Sequence, residues 1–149
     1  MFDELLEPVH NGEWELKNFL RKHGYKVVDV SDNPKYWNKD IDLLISKDGG
    51  KEIAIEVKYD SRINTTGNLF LEIANPRSKN GEGWFNFTQA RYLFYGDSVA
   101  KLFYVIDMWK LREYMKTRRH CYRKTCTTDN SVGYLVPIAN APIICSVEV

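Results

Sequence analysis

The chain has 149 residues, 44% of them hydrophobic and 28% charged, with 21 Lys plus Arg against 20 Asp plus Glu. That composition excludes a disordered chain, and the length predicts one domain over 1–149 that folds without disulfides. No apolar run reaches the roughly 18–20 residues of a membrane span, the three Cys are an odd number, and the opening MFDELLEP lacks a signal-peptide core, so a cytoplasmic protein without a membrane partner is expected.

Residues 12–23 read as a helix, because Leu16, Phe19, Leu20 and His23 recur at three- and four-residue spacing. Asn11 is placed as its N-cap and Gly24 as its stop. The β-branched run 25–30 reads as a strand, and 31–39, with Pro34, as a loop. Residues 40–46 and 52–60 both alternate and flank Asp48-Gly49-Gly50, which predicts a β-hairpin. A polar loop and a possible extra strand at 69–74 follow, then a loop at 75–83. Residues 87–95 read as a helix, 101–106 as a strand, 108–117 as a helix and 118–131 as an irregular segment. Strands are expected at 133–138 and 143–149. The order predicts an α/β fold whose sheet is covered on both faces.

The polar face of the hairpin holds the chemistry. Side chains alternate along a strand, so Glu56, Lys58 and Asp60 share a face, and the turn brings Asp42 close to it. Two carboxylates beside an ammonium suit a Mg²⁺ ion that keeps several waters. Such an ion lowers the pKa of a water and steadies phosphate charge. An ordinary half-exposed hairpin would also carry charges on one face. Asp40 competes with Asp42, and Asp60 and Glu72 approach the same region. In the first helix Glu13 faces inward better than Glu15.

Charge is uneven along the chain. The first fifteen residues hold five acids and no Lys or Arg, whereas 101–124 hold eight bases against two acids. A balance near zero therefore hides a basic zone that attracts phosphate or is simply solvated. Lys17, Arg62, Asn64, Arg77, Lys79 and Arg91 are candidate nucleic-acid contacts, and Trp84 a candidate for stacking on a base. His120, Cys121, Cys126 and Cys145 do not have a standard zinc spacing. No nucleophile elbow or phosphate-binding Gly-rich loop occurs.

The pattern Glu13-Trp-Glu-Leu, Gly24-Tyr25, Asp42, Glu56-Val-Lys58 and Gln89 resembles the PD-(D/E)xK nuclease superfamily. The first-helix spacing is similar to that of Holliday junction resolvases, and EVKYD…TGNLFLE to phage and bacterial members. The resemblance covers roughly residues 11–106. It implies a restriction-endonuclease-like core with a central mixed sheet of four to five strands flanked by helices. It also implies Mg²⁺- or Mn²⁺-dependent hydrolysis of DNA, either structure-selective or weakly sequence-specific. Carried over, Asp42, Glu56 and the carbonyl of Val57 would hold the metal. Lys58 would be the catalytic lysine, Glu13 the accessory acid, and Gln89 the helix glutamine. Ile41 stands where many members have Pro, and the later segment reads Gln89-x-x-Tyr92 rather than the Gln-x-x-x-Tyr of the RecB-like branch. A homodimer would place two sites on two strands. The alternatives are a catalytically inactive module that binds nucleic acid or protein, and an RNA-cleaving enzyme.

Overall fold

Gly12–Lys22 forms the first helix, α1. Its acids Glu13 and Glu15 lie in the first turn and Arg21 and Lys22 in the last, each matched to the helix dipole. The computed structural model describes residues 12–78 and 80–149, so the expected cap Asn11 lies outside the described residues. Gly24 ends the helix region with a φ of +88°, a conformation that glycine adopts without steric cost. β1 (Tyr25–Asp29), α2 (Pro34–Trp37), β2 (Leu43–Lys47) and β3 (Ile53–Asp60) follow. Next come α3 (Arg62–Thr66), β4 (Asn68–Ala74), α4 (Trp84–Phe87), β5 (Tyr92–Asp97), β6 (Leu102–Asp107) and α5 (Met108–Arg118). A short 3₁₀ turn (Arg119–Cys121) leads to β7 (Arg123–Cys126), β8 (Val132–Pro137) and β9 (Ile143–Glu148).

The expected α/β class holds, but the main sheet has six strands rather than four to five, in the order β1-β2-β3-β5-β6-β9. It is mixed. β3 and β5 run parallel, while the other neighbours are antiparallel. The predicted hairpin is β2–β3, with Leu43 opposite Ile55 and Ile45 opposite Ile53. A separate three-stranded antiparallel sheet, β4-β8-β7, takes up the possible extra strand and part of the segment expected to be irregular.

The helix expected over 87–95 is not formed. Its second half is β5, and its first is the end of α4 and an extended link. Five of the six β5 residues are buried because the strand lies in the middle of a sheet covered on both faces. Such a strand reads as a continuous apolar run, and periodicity does not separate it from a buried helix.

Two cores hold the sheet. Leu16 and Leu20 of α1 pack on the face carrying Val27, Leu43, Ile55, Phe94 and Phe103. The opposite face, with Leu93, Tyr95 and Ile106, packs against Leu69 and Leu71 of β4, Val136 of β8 and Leu111 and Met115 of α5. Asp107 caps α5 by accepting from the N–H groups of Trp109 and Lys110 at 2.9 and 3.2 Å. Among the described residues, no helix is long and apolar enough to cross a membrane.

Candidate active site

Asp42 stands just before β2, and its Oδ2 accepts the N–H of Val57 on β3 at 2.8 Å. That bond carries the Asp42 side chain across the hairpin to the middle of the neighbouring strand. One residue on either side of Val57 the strand presents Glu56 and Lys58, as alternation requires. Lys58 Nζ lies 2.6 Å from Glu56 Oε1. The Glu56 side chain is only 1% exposed, that of Lys58 31%.

Burial is the largest influence on each carboxyl group here, and it raises all of them. Glu56 stands well above the usual carboxylate range; Lys58 opposes the rise, while Asp42 and Asp40 add to it. Asp42 is raised by burial, partly offset by the Val57 N–H, Lys58 and a contact with the Glu56 carboxyl. Asp40 is raised by burial against the pull of Lys58. Burial alone would depress the Lys58 ammonium, but Glu56 with Asp40 and Asp42 outweighs it, and the amine stands above its ordinary range. Lys58 is therefore a fixed cation at neutral pH, and it faces three acids.

Glu13 joins from α1. Gly12 is buried, and a Cβ there would stand 2.1 Å from the Tyr59 ring, so the start of the helix sits flush on β3. Burial first, then the Asp42 and Asp29 charges, push Glu13 up to about 7. Glu13 Oε1 and Glu56 Oε2 are both buried without a hydrogen-bond partner among the described residues. Carboxylate oxygens left in this way call for a proton or a cation. With Asp42 and Glu56 both ionised, neither carboxyl can donate a hydrogen bond to the other.

A divalent ion fits that donor set in its chemistry, since hard oxygens of Asp42 and Glu56 converge and one of them lacks a partner. Among the described residues, however, no three His, Cys, Asp or Glu side chains stand together in metal-ligand geometry. The Lys58 ammonium lies on Glu56 Oε1, the oxygen an ion would share. Val57 meets Asp42 through its N–H.

Asp40 has a φ of +51°. Asp tolerates this left-handed region better than most residues. The conformation is held from outside: Thr88 Oγ1 donates to the Asp40 carbonyl at 2.7 Å, and the Gln89 N–H donates to the Lys39 carbonyl at 2.7 Å. Arg112 of α5 in turn donates to the carbonyls of Phe85 and Thr88. Thr88 and Arg112 thus position the segment that carries Asp40 and Asp42. Nothing in the sequence marks either residue for that task, because the contacts span 48 and 24 positions.

Gln89 is not on a helix; it is exposed in the link before β5, and its backbone, not its side chain, touches the site segment. The comparisons add no relative. No protein-family model, curated protein or solved structure matches the chain.

Most of the expected nucleic-acid contacts are engaged within the chain. Lys17 pairs with Asp29 at 2.9 Å. Asn64 Nδ2 donates to Asp97 at 3.2 Å. Arg77 pairs with Asp129 at 2.6 Å and ties the 75–83 loop to the β7–β8 turn. Arg91 pairs with Asp107 at 2.9 Å and lies 3.6 Å over the Trp109 ring. Lys79 lies outside the described residues. Arg62 is exposed, and no side-chain partner is found for it among the described residues. Trp84 is 8% exposed, and Lys58 Nζ lies 5.3 Å over its ring, so it supports the lysine and is not an open stacking surface. The three cysteines are free and exposed.

Beside Asp40 and Lys58 opens a cavity of about 570 Å³, bounded by Trp37 and by the 75–82 loop. Among the described residues that line it, the acids Asp40, Glu72 and Glu82 outnumber the base Lys58.

Proposed function

We propose that the protein is a metal-dependent DNA nuclease of the PD-(D/E)xK type, built on a restriction-endonuclease-like core. The observation that supports this best is the edge formed by Asp42, Glu56 and Lys58. It holds a buried carboxylate oxygen with no partner among the described residues beside a second carboxyl group and a fixed ammonium, and of these groups Lys58 lines a cavity. Structures rarely leave a group of this kind buried without use.

Asp42 and Glu56 would hold a Mg²⁺ or Mn²⁺ ion, with Glu13 adding negative charge from α1. When bound, that ion supplies a charge sink for phosphate and an acidified water. The chain's own residues do the rest. The Val57 N–H fixes the Asp42 carboxyl in place. Lys58 has a flexible stem that is partly exposed, so its ammonium can reach a phosphate oxygen. There its charge stabilises the pentacovalent transition state. The acid-rich cavity wall repels phosphate until a cation offsets it, which makes binding as well as cutting depend on metal.

The test is cleavage of duplex, single-stranded, flap and four-way-junction DNA with Mg²⁺ or Mn²⁺. Cutting that is lost in Glu56→Gln and Lys58→Ala, with the fold intact, supports the proposal. A panel left uncut by the native protein refutes it.

One observation favours a second reading, a module of the same fold that binds without cutting. The Lys58 ammonium pairs with Glu56 Oε1 at 2.6 Å, so the chain itself supplies a cation to this carboxyl. Calorimetric titration with Mn²⁺ separates the two: heat of binding that vanishes in Glu56→Gln supports the nuclease, and no binding supports the module.

A further inference from the structure

Trp37 closes α2 and is 60% exposed. Exposure alone means little for a single aromatic side chain. What sets this one apart is that it is held rigid, uncovered and beside the site. Its indole N–H donates to the Ser31 carbonyl at 3.0 Å, which fixes the ring. The helix beneath it is pinned by Pro34 in the first turn and by Asn33, whose side chain accepts the Lys35 N–H at 3.0 Å. Among the described residues, no ring or cation stacks on Trp37. Trp109 is as open, at 66%, but Arg91 already covers it at 3.6 Å.

Trp37 also lines the same cavity of about 570 Å³ as Lys58. Beside it stands Asn38, whose side-chain amide has no partner among the described residues. Across the cavity stands Asn80, whose Oδ1 accepts the Glu82 N–H at 3.0 Å while its NH₂ remains unengaged. A flat apolar ring, two amides with free hydrogen-bonding groups and one ammonium suit three parts of a nucleotide. The ring takes the face of a base, the amides its edge and the ammonium its phosphate.

We propose that Trp37 is the stacking platform for one unpaired nucleobase of the strand whose phosphate reaches Lys58. In a continuous duplex both faces of each base are covered by neighbours, so only an unpaired base has a face to offer. This rests on the nuclease proposal for the role of Lys58, and it narrows the substrate to single-stranded or locally unpaired DNA.

The experiment measures binding of a short fluorescent single strand and of the matching duplex by anisotropy, with Ca²⁺ present to offset the cavity acids. Trp37→Ala loses roughly 5- to 150-fold in affinity for the single strand, the worth of one base stack. Its affinity for the duplex stays unchanged. Trp37→Phe keeps most of the single-strand affinity, because a smaller ring still stacks. The single strand also quenches the fluorescence of the native protein, and Trp37→Phe removes that quenching while it still binds. Equal losses on both DNAs, no loss in Trp37→Ala, or quenching that persists in Trp37→Phe overturns the inference. Should Trp37→Ala not fold, the quenching result decides. The outcomes separate the two proposals. A protein that cuts nothing but prefers single strands through Trp37 keeps this inference and loses the nuclease. One that cuts without regard to Trp37 does the reverse.

Discussion

Replacing Glu13 with Gln tests the electrostatic crowding directly. The folded chain holds this carboxyl at about 7 against 4.5 for the free side chain. A difference of that size corresponds to about 3.4 kcal/mol against ionising Glu13 in the folded state. Glu13 is only half-buried, so solvent screening brings the expected effect to roughly 1.5–2 kcal/mol. The sign follows from where the proton is held. Between 4.5 and about 7 the folded state binds the proton and the unfolded state has released it. The native protein therefore loses this stability as pH rises through that window and regains it as pH falls. Gln copies the protonated form and shows no such loss. Urea denaturation at a series of pH values is the assay, with the Glu13→Gln curve subtracted from the native one so that other groups cancel. The variant is expected to match the native protein at pH near 4 and to exceed it by roughly 1.5–2 kcal/mol at pH near 8, about 3–8 °C in Tm. A difference that is flat with pH, or a variant less stable at pH 8, would mean that Glu13 does not share a desolvated space with Asp42.

Four further outcomes are expected. Glu56→Gln lowers Mg²⁺-dependent cleavage by more than roughly 100-fold, the scale of one lost charge-stabilising group. Asp107→Ala removes both the cap of α5 and the partner of Arg91 and costs roughly 2–4 kcal/mol in urea denaturation. Arg62→Ala reduces the dependence of log affinity on log salt by about 1 in DNA titrations, as one lost phosphate contact should. Lys17→Ala leaves that slope in place, because Lys17 is already bound to Asp29.

The hairpin was legible because its two signals agree: strict alternation on both sides of Asp48-Gly49-Gly50, and acids gathered on one face. That alternation puts Glu56 and Lys58 on one face with Asp40 or Asp42 near it, and the choice of Asp42 comes from the resemblance. Gln89 and the helix around it did not survive, since a doubly covered strand such as β5 hides its period of two. Asn33-Pro34 is a helix-start signature, yet its helix has only four residues, too short to show periodicity, and Trp37 went unremarked with it. β7 is short and almost wholly exposed, so its sequence carries no apolar stripe. The paired states of Lys17, Arg77 and Arg91 depend on partners 12, 52 and 16 positions away. A basic residue in a sequence shows its charge and not whether that charge is already spent.

The parallel step from β3 to β5 obliges the chain to travel from one end of the sheet to the other before it can pair again. Everything between them, from α3 through α4, is that journey, and it includes the 75–82 loop that faces Trp37 across the cavity. Floor and wall are thus inherited separately. Asp42 and Glu56 are placed by the β2–β3 hairpin, whereas the loop is tied elsewhere, through Arg77 to Asp129 and Ser131 of the β7–β8 turn. Lengthening, shortening or exchanging it alters what fits beside Lys58 without shifting Asp42 or Glu56. If the proposed nuclease activity holds, a lineage built on this scaffold would change its substrate by trading a loop while Asp42, Glu56 and Lys58 keep their places.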